Sequence, residues 1–151
     1  MAHDNKYAYT IEGKMALPYQ YFAGATSSKF IVALRDEKKI LAVQGKQSGL
    51  TYVPPRQVCD RTFEHLEDNW VEVKDTGVVT NFTVIRYEEP YQPMKPPFVI
   101  ALIKLDGADT PIAHLVSCDD VGDVAIGMRV KAVFAEEAVN TILEIQHFVA
   151  E

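Results

Sequence analysis

The side chains best suited to chemistry are few and scattered. Two cysteines, Cys59 and Cys118, and four histidines, His3, His65, His114 and His147, are the soft ligands and bases available in 151 residues. Cys118 is followed by Asp119 and Asp120, whose carboxylates disfavour a thiolate, so it reads as a poor nucleophile. The two thiols lie far apart and read as free rather than bridged. Asp119, Asp120 and Asp123 supply hard oxygen ligands, but their spacing fits no EF-hand loop, and an acidic turn is the simpler reading. His114 alternates with Ile112 and Val116, the pattern of a packed strand histidine rather than a general base. The chain contains no Gly-rich phosphate loop, no Gly-x-Ser-x-Gly and no His-Glu-x-x-His, so no catalytic constellation is legible.

The candidates for binding are of another kind. Arg56 follows Pro54-Pro55, which hold its backbone stiffly and leave a guanidinium suited to a phosphate or a carboxylate, with Tyr52 close before it. Lys95 lies in the proline-rich stretch EEPYQPMKP, where Tyr91 and Met94 offer flat and flexible apolar contacts. The formal net charge of −6, from 15 Lys and Arg against 21 Asp and Glu, repels polyanions on average. A single-stranded nucleic-acid binder is the alternative function; Arg86, Lys104, Arg129 and Lys131 would have to supply its basic groove, and acids dilute them.

These residues must be positioned by the elements around them. Residues 1–38 read as an arm with aromatics at Tyr7, Tyr9, Tyr19, Tyr21 and Phe22, followed by a short amphipathic helix. Ser27 or Ser28 is its expected cap and Phe30, Ala33 and Leu34 its buried face. Packing on its own barrel or cover by a partner chain are the two expectations for the arm. Residues 39–69 read as a ribbon: strands at Lys39–Val43 and Gly49–Val53 joined by a polar turn, then prolines and a second turn at Cys59–Thr62. Residues 70–151 read as a barrel, with Trp70 as an anchor at its first strand. Strand-length runs punctuated by Gly, Pro, Asp and Asn follow from WVEV through GVVTNFTVIRY, FVIALIKL, PIAHLVS, GMRVKAVF and NTILEIQHFVA. Five strands with short connections fit an OB barrel better than a sandwich, and residues 88–96 form its longest connection, bordering the ligand face. The fold class is therefore mainly β: a five-stranded OB-fold barrel preceded by an N-terminal helix and a ribbon hairpin. No run approaches the roughly 20 apolar residues that span a bilayer, and the start lacks the apolar core of a signal peptide, so a cytoplasmic address is expected.

The string SKFIVALRDEKKILAVQGKQSGLTYVPPRQVCDRTF, with WVEV, GVVTNFTVI and VAIGMRVKAVF, resembles the DUF35 family over about residues 20 to 149. The resemblance is most specific at Thr51–Cys59 and Ile126–Phe134. It implies a helix, a rubredoxin-like zinc ribbon and an OB fold. Members typically hold zinc with two Cys-x-x-Cys pairs. Aligned on Pro54-Pro55-Arg56, the pairs fall here on Gly45 and Ser48, and on Cys59 and Thr62; one thiolate is left, and the ribbon is expected to be metal-free. Leu41, Val43, Leu50, Tyr52, Val53 and Val58 are expected to hold it instead. The resemblance further implies a non-catalytic accessory subunit of a thiolase-like or other acyl-CoA enzyme. Arg56, Tyr52, Tyr91, Met94 and Lys95 would meet the enzyme or a coenzyme A thioester, and no cofactor would be tightly bound. In isolation the chain is expected to form a homodimer that hides its helix face.

Overall fold

The computed structural model describes residues 13, 15 and 17–151, so Tyr7 and Tyr9 of the arm lie outside the described residues. The helix, α1 (Ala25–Val32), continues into a π-helical turn (Ala33–Glu37). Ser27 and Ser28 do not cap it. Gly24 stands at the N-cap with φ 87°, and the Ser28 amide already donates to its carbonyl at 3.0 Å. A glycine preceding the helix lets the chain turn in from the arm three residues earlier than a Ser27 cap would. The buried face is as expected: Phe30, Ala33 and Leu34 are inside.

A three-stranded sheet follows, in the order β2-β1-β3, built from β1 (Ile40–Gln44), β2 (Thr51–Tyr52) and β3 (Trp70–Val73). Trp70–Val73, expected to open the barrel, is instead the outer strand of the ribbon. It runs antiparallel to β1 from Ile40↔Val73 to Val43↔Trp70. A short apolar run tells that a strand exists and says nothing of which edge it will find. The barrel begins after Lys74 and Asp75.

Five strands close that barrel in the order β4-β5-β6-β8-β7: β4 (Thr76–Ile85), β5 (Phe98–Leu105), β6 (Ile112–Val116), β7 (Arg129–Phe134) and β8 (Ile145–Ala150). This is the OB arrangement, in which the strands lie in the order 1-2-3-5-4. The even alternation along β4 is broken by a bulge between Val79 and Asn81. Before it Val79 faces inward; after it Phe82 and Val84 do, across from Ala101 and Val99. One extra residue therefore moves the apolar set to the other parity without leaving the core.

Ribbon, helix and barrel share one core. Phe30, Leu34, Ile40, Ala42, Val53 and Val73 pack in the same cluster as Val79, Ile103, Leu105 and Phe148. The joint is also hydrogen-bonded: Asp109 N donates to Thr51 O (2.8 Å), Thr51 N to the Asp109 carboxylate (2.8 Å) and Val53 N to Thr110 Oγ1 (2.9 Å). Among the described residues no helix is long and apolar enough to cross a membrane.

The tightest approach in the barrel is at Gly77, where a Cβ would lie 2.6 Å from Lys104 O and 2.9 Å from Leu105 Cα. Backbone atoms of a paired strand cannot yield as a side chain can. Gly77→Ala is expected to cost about 2 kcal/mol or more, read as a lowered urea midpoint at unchanged slope; an unshifted midpoint would refute the close-approach argument.

Candidate functional site

Three of the four positions where the resemblance places metal ligands, Gly45, Ser48 and Thr62, surround a side chain not anticipated there, that of Glu64. Glu64 Oε1 accepts from Ser48 N (3.0 Å) and Thr62 Oγ1 (2.9 Å), and Oε2 accepts from Gln47 N (2.9 Å). Burial alone would raise this carboxyl, but the amides of Gln47 and Ser48 and the hydroxyl of Thr62 outweigh it and hold it at about 2. Successive amides of a tight turn make an anion cradle, and the carboxylate occupies it. A Cβ on Gly45 would overlap Ser48 Oγ and lie 2.6 Å from Glu64 Oε1, so the space that a cysteine here would need is taken. With one thiol and a hydrogen-bonded carboxylate in place, the residues present do not fit a tetrahedral zinc. Among the described residues no three His, Cys, Asp or Glu side chains are grouped to hold a metal.

Cys59 is fully buried, 3.2 Å from Tyr52 Oη and 3.5 Å from the Thr62 amide. Burial pushes its thiol up, but the bonds from Thr62, Tyr52 and Arg61 prevail and bring it to about 6. Without access to solvent that poise makes a structural thiol, not a nucleophile. Val43, Tyr52, Cys59 and Leu66 form the ribbon's own small core, with Leu50 and Trp70 against it. Val58, expected there, is instead 40% exposed, and Val53 belongs to the main core. His65 is exposed beside the turn.

Tyr52 is 1% exposed, with its hydroxyl given to Asp60 at 2.8 Å, so it offers no surface to a ligand. Its place is underneath: the Arg56 guanidinium lies 4.5 Å over its ring and 3.8 Å from Asp60. Arg56 and Gln57 form one wall of a cleft of about 430 Å³ whose other wall is Phe22–Ser27. The expected pair is thus together, in a supporting and a presenting role.

A second site lies on the barrel. β5 and β6 are its second and third strands, the face with which OB folds bind ligands, together with the loops after the first and fourth strands. The outward residues here are Ile100 and Leu102 on β5, opposite Leu115 and Ala113 on β6. A groove of about 470 Å³ runs beside them, walled by Pro93 and Met94 from one loop, by Ala135, Val139 and Leu143 from the other side, and by Leu115. Ser117, Gln146 and His147 give it a polar margin. Met94 is therefore where a ligand contact was expected. Tyr91, 87% exposed, and Lys95 share its loop but do not line the groove. Ile100, Leu102 and Leu143 went unnoticed in the sequence, although FVIALI, apolar at both parities, signals a strand with two covered or used faces.

The groove follows a seam. β6 and β8 share a single register pair, Val116↔Phe148. His114 bridges what the ladder leaves open: Leu115 N donates to Nδ1 at 2.9 Å, so Nε2 carries the proton and donates to Ile142 O at 3.3 Å. It is 5% exposed, edge-on to Phe148 at 5.5 Å. Burial pushes its pKa down, and occupation of the Nδ1 lone pair further favours the neutral ring. This is the packed barrel histidine that the alternation indicates. Cys118 is raised by burial and by Asp123, Asp120 and Asp119, and those acids form a turn in which Gly122 N donates to Asp120 Oδ1 at 2.8 Å.

Comparison with known proteins places this geometry. The family model of the C-terminal OB-fold domain of ChsH2 matches residues 70–135, from β3 to the end of β7. A DUF35 domain-containing scaffold protein of Methanocaldococcus jannaschii is 28% identical over 101 residues, 67% of this chain and 71% of that protein. Among solved structures, a DUF35 protein of unknown function from Sulfolobus solfataricus superposes with a TM-score of 0.60 at 25% identity, over 73% of this chain and 78% of that one. The chain is thus similar to DUF35 proteins in sequence and in fold. The structure titled Ltp2-ChsH2(DUF35) aldolase shares the DUF35 fold at a TM-score of 0.63 and 20% identity, over 86% of this chain and 96% of that one. In this chain the two turns of the ribbon are joined through the Glu64 carboxylate.

Two pH windows follow. The lowered pKa of His114 means that its contribution is complete above about 6.5 and is lost as pH falls below that value. The Glu64 contribution is complete above 4.5 and is lost as pH falls toward about 2. Thermal midpoints recorded from pH 8 to pH 3 are expected to decline in both windows. His114→Gln should flatten the upper one and Glu64→Gln the lower; an upper decline unchanged in His114→Gln would remove the histidine from this account.

Proposed function

We propose that this chain is a non-catalytic accessory subunit of an enzyme that processes acyl-CoA thioesters, docking on it and contacting the thioester or the enzyme through the barrel groove and the Arg56 cleft. The observation that carries the reading is the aliphatic outer face of β5 and β6 with its groove. A soluble barrel turns polar residues outward on such a face unless something apolar covers it. Ile100, Leu102, Leu115, Leu143 and Met94 suit an acyl or pantetheine-like chain or the apolar side chains of an enzyme surface. They do not suit a nucleic acid, which calls for stacked aromatics in a basic groove. Arg56, 43% exposed over Tyr52, is the group placed for a phosphate or a carboxylate.

The named relatives point the same way: one is called a scaffold protein, and another was solved as part of an aldolase that carries its partner's name. A thiolase-like enzyme is the partner class we favour.

A tagged chain recovered from its native lysate is expected to retain an acyl-CoA enzyme in near-equal amount. Titration of that complex with coenzyme A should show binding that Arg56→Ala weakens about tenfold or more, the loss of one charged hydrogen bond. Recovery of nucleic acid in place of an enzyme would defeat the proposal, and coenzyme A affinity indifferent to Arg56→Ala would take the cleft out of it.

A further inference from the structure

The arm before α1 carries a run of apolar side chains that the fold leaves uncovered. Met15, Leu17, Tyr19, Tyr21 and Phe22 are between 75% and 84% exposed. Four of these recur at every second residue, the period that places side chains on one face of an extended segment. Tyr19 and Tyr21 stand on the same side, with ring centroids 6.0 Å apart. In the folded chain these side chains are left largely to solvent, and none of them lines the groove described above.

We propose that the two fill one another between copies: the arm of one chain seats in the groove between β6 and β8 of a second, and the exchange is reciprocal. The chemistry of the groove suits phenol side chains. Its walls, Met94, Leu115, Val139 and Leu143, are aliphatic, while Ser117, Gln146 and His147 lie at its margin. A buried tyrosine needs that combination, an apolar body beside a partner for its hydroxyl. The lengths agree as well: Leu17–Tyr21 spans about 17 Å when extended, as does the five-residue β6 that borders the groove. Each arm carries roughly 700 Å² of burial among its five large side chains. Two arms with the surfaces they cover exceed the roughly 1,200 Å² at which specific interfaces begin. An interface of this kind is isologous and closes at two copies.

The inference rests on the groove used in the proposed function but not on the acyl-CoA reading of it. A dimer without enzyme capture would fault that reading alone, and enzyme capture by a chain that never dimerises would fault this one alone. Sedimentation velocity of the purified full chain is expected to show a dimer at tens of micromolar. Tyr19→Ser/Tyr21→Ser on the arm, or Met94→Glu in the groove, should give a monomer with an unchanged circular-dichroism spectrum, since all three side chains are exposed in the folded chain, and with a thermal midpoint that no longer rises with protein concentration. Mixing the two variants is the deciding step, because one arm and one groove remain intact, and heterodimer should reappear. The wild-type chain staying monomeric at about 100 µM, a dimer that survives the arm substitutions, or a mixture that stays monomeric would each overturn the proposal.

Discussion

A tight turn that aims two amide hydrogens at one point needs a negative charge there, and the ribbon of this protein depends on how that need is met. Glu64 meets it from the second turn, closing over the first through Gln47 and Ser48. The carboxylate joins the two turns by hydrogen bonds to Gln47, Ser48 and Thr62. A clamp of this strength cannot fold a ribbon alone. The remaining stability comes from the small cluster around Tyr52, Cys59 and Leu66, and from the joint that ties Thr51 and Val53 to Asp109 and Thr110. Ribbon and barrel are thereby made to fold as one body, with Val53 and Val73 in the same core as Ile103 and Phe148.

The barrel carries a comparable device at its far seam. With one register pair between β6 and β8, closure falls to His114 and to the short 3-10 turn Ile142–Glu144. Glu144 is fully buried and accepts from the amides of Val139 (2.7 Å) and Asn140 (2.6 Å), which fixes the loop that walls the groove. Its other oxygen has no hydrogen bond and faces Lys38 Nζ at 3.9 Å. A buried carboxylate oxygen left without a donor is costly, so a nearby cation at the end of the helical segment is what makes the arrangement tolerable. Lys38 also donates to Ala135 O (2.8 Å), linking the helix to the groove wall at two points.

Much of this architecture is written locally. Alternation and turn punctuation mark β4 to β8, and prolines mark the end of the ribbon hairpin, because strand period and backbone restriction act within a few residues. What depends on distant neighbours is not legible in that way. Trp70–Val73 has the composition of any half-buried strand, and only the free edge of β1 decides its sheet. Glu64 looks like a surface acid until Gln47 and Ser48, 17 and 16 residues earlier, are folded against it. Tyr52 and Arg56 were legible as a pair, but the order of burial between them was not. Tyr91 and Lys95 show the limit for loops: a proline-rich connection can be assigned to the ligand face, while which of its side chains turns inward is set by contacts with Leu115 and Leu143.

The division of side chains between these tasks bears on function. Catalysis by a titratable group requires that group to be reachable and not already committed to the fold. Here the perturbed groups are committed: Asp106 to a two-pronged bond with Arg129 at 2.8 Å and to Thr76, Glu64 to the turns, His114 to the seam, and Cys59 to a sealed cluster. Asp106, Glu64 and Cys59 owe their lowered pKa to hydrogen bonds, and His114 owes its own to burial; each of these would be lost if the group moved toward a substrate. The surface left free is of the opposite character, aliphatic on the barrel and aromatic on the arm, with Arg56 as a presented charge. The contacts that commit these groups also fix the loops and seams around the apolar faces, and so give that surface its form.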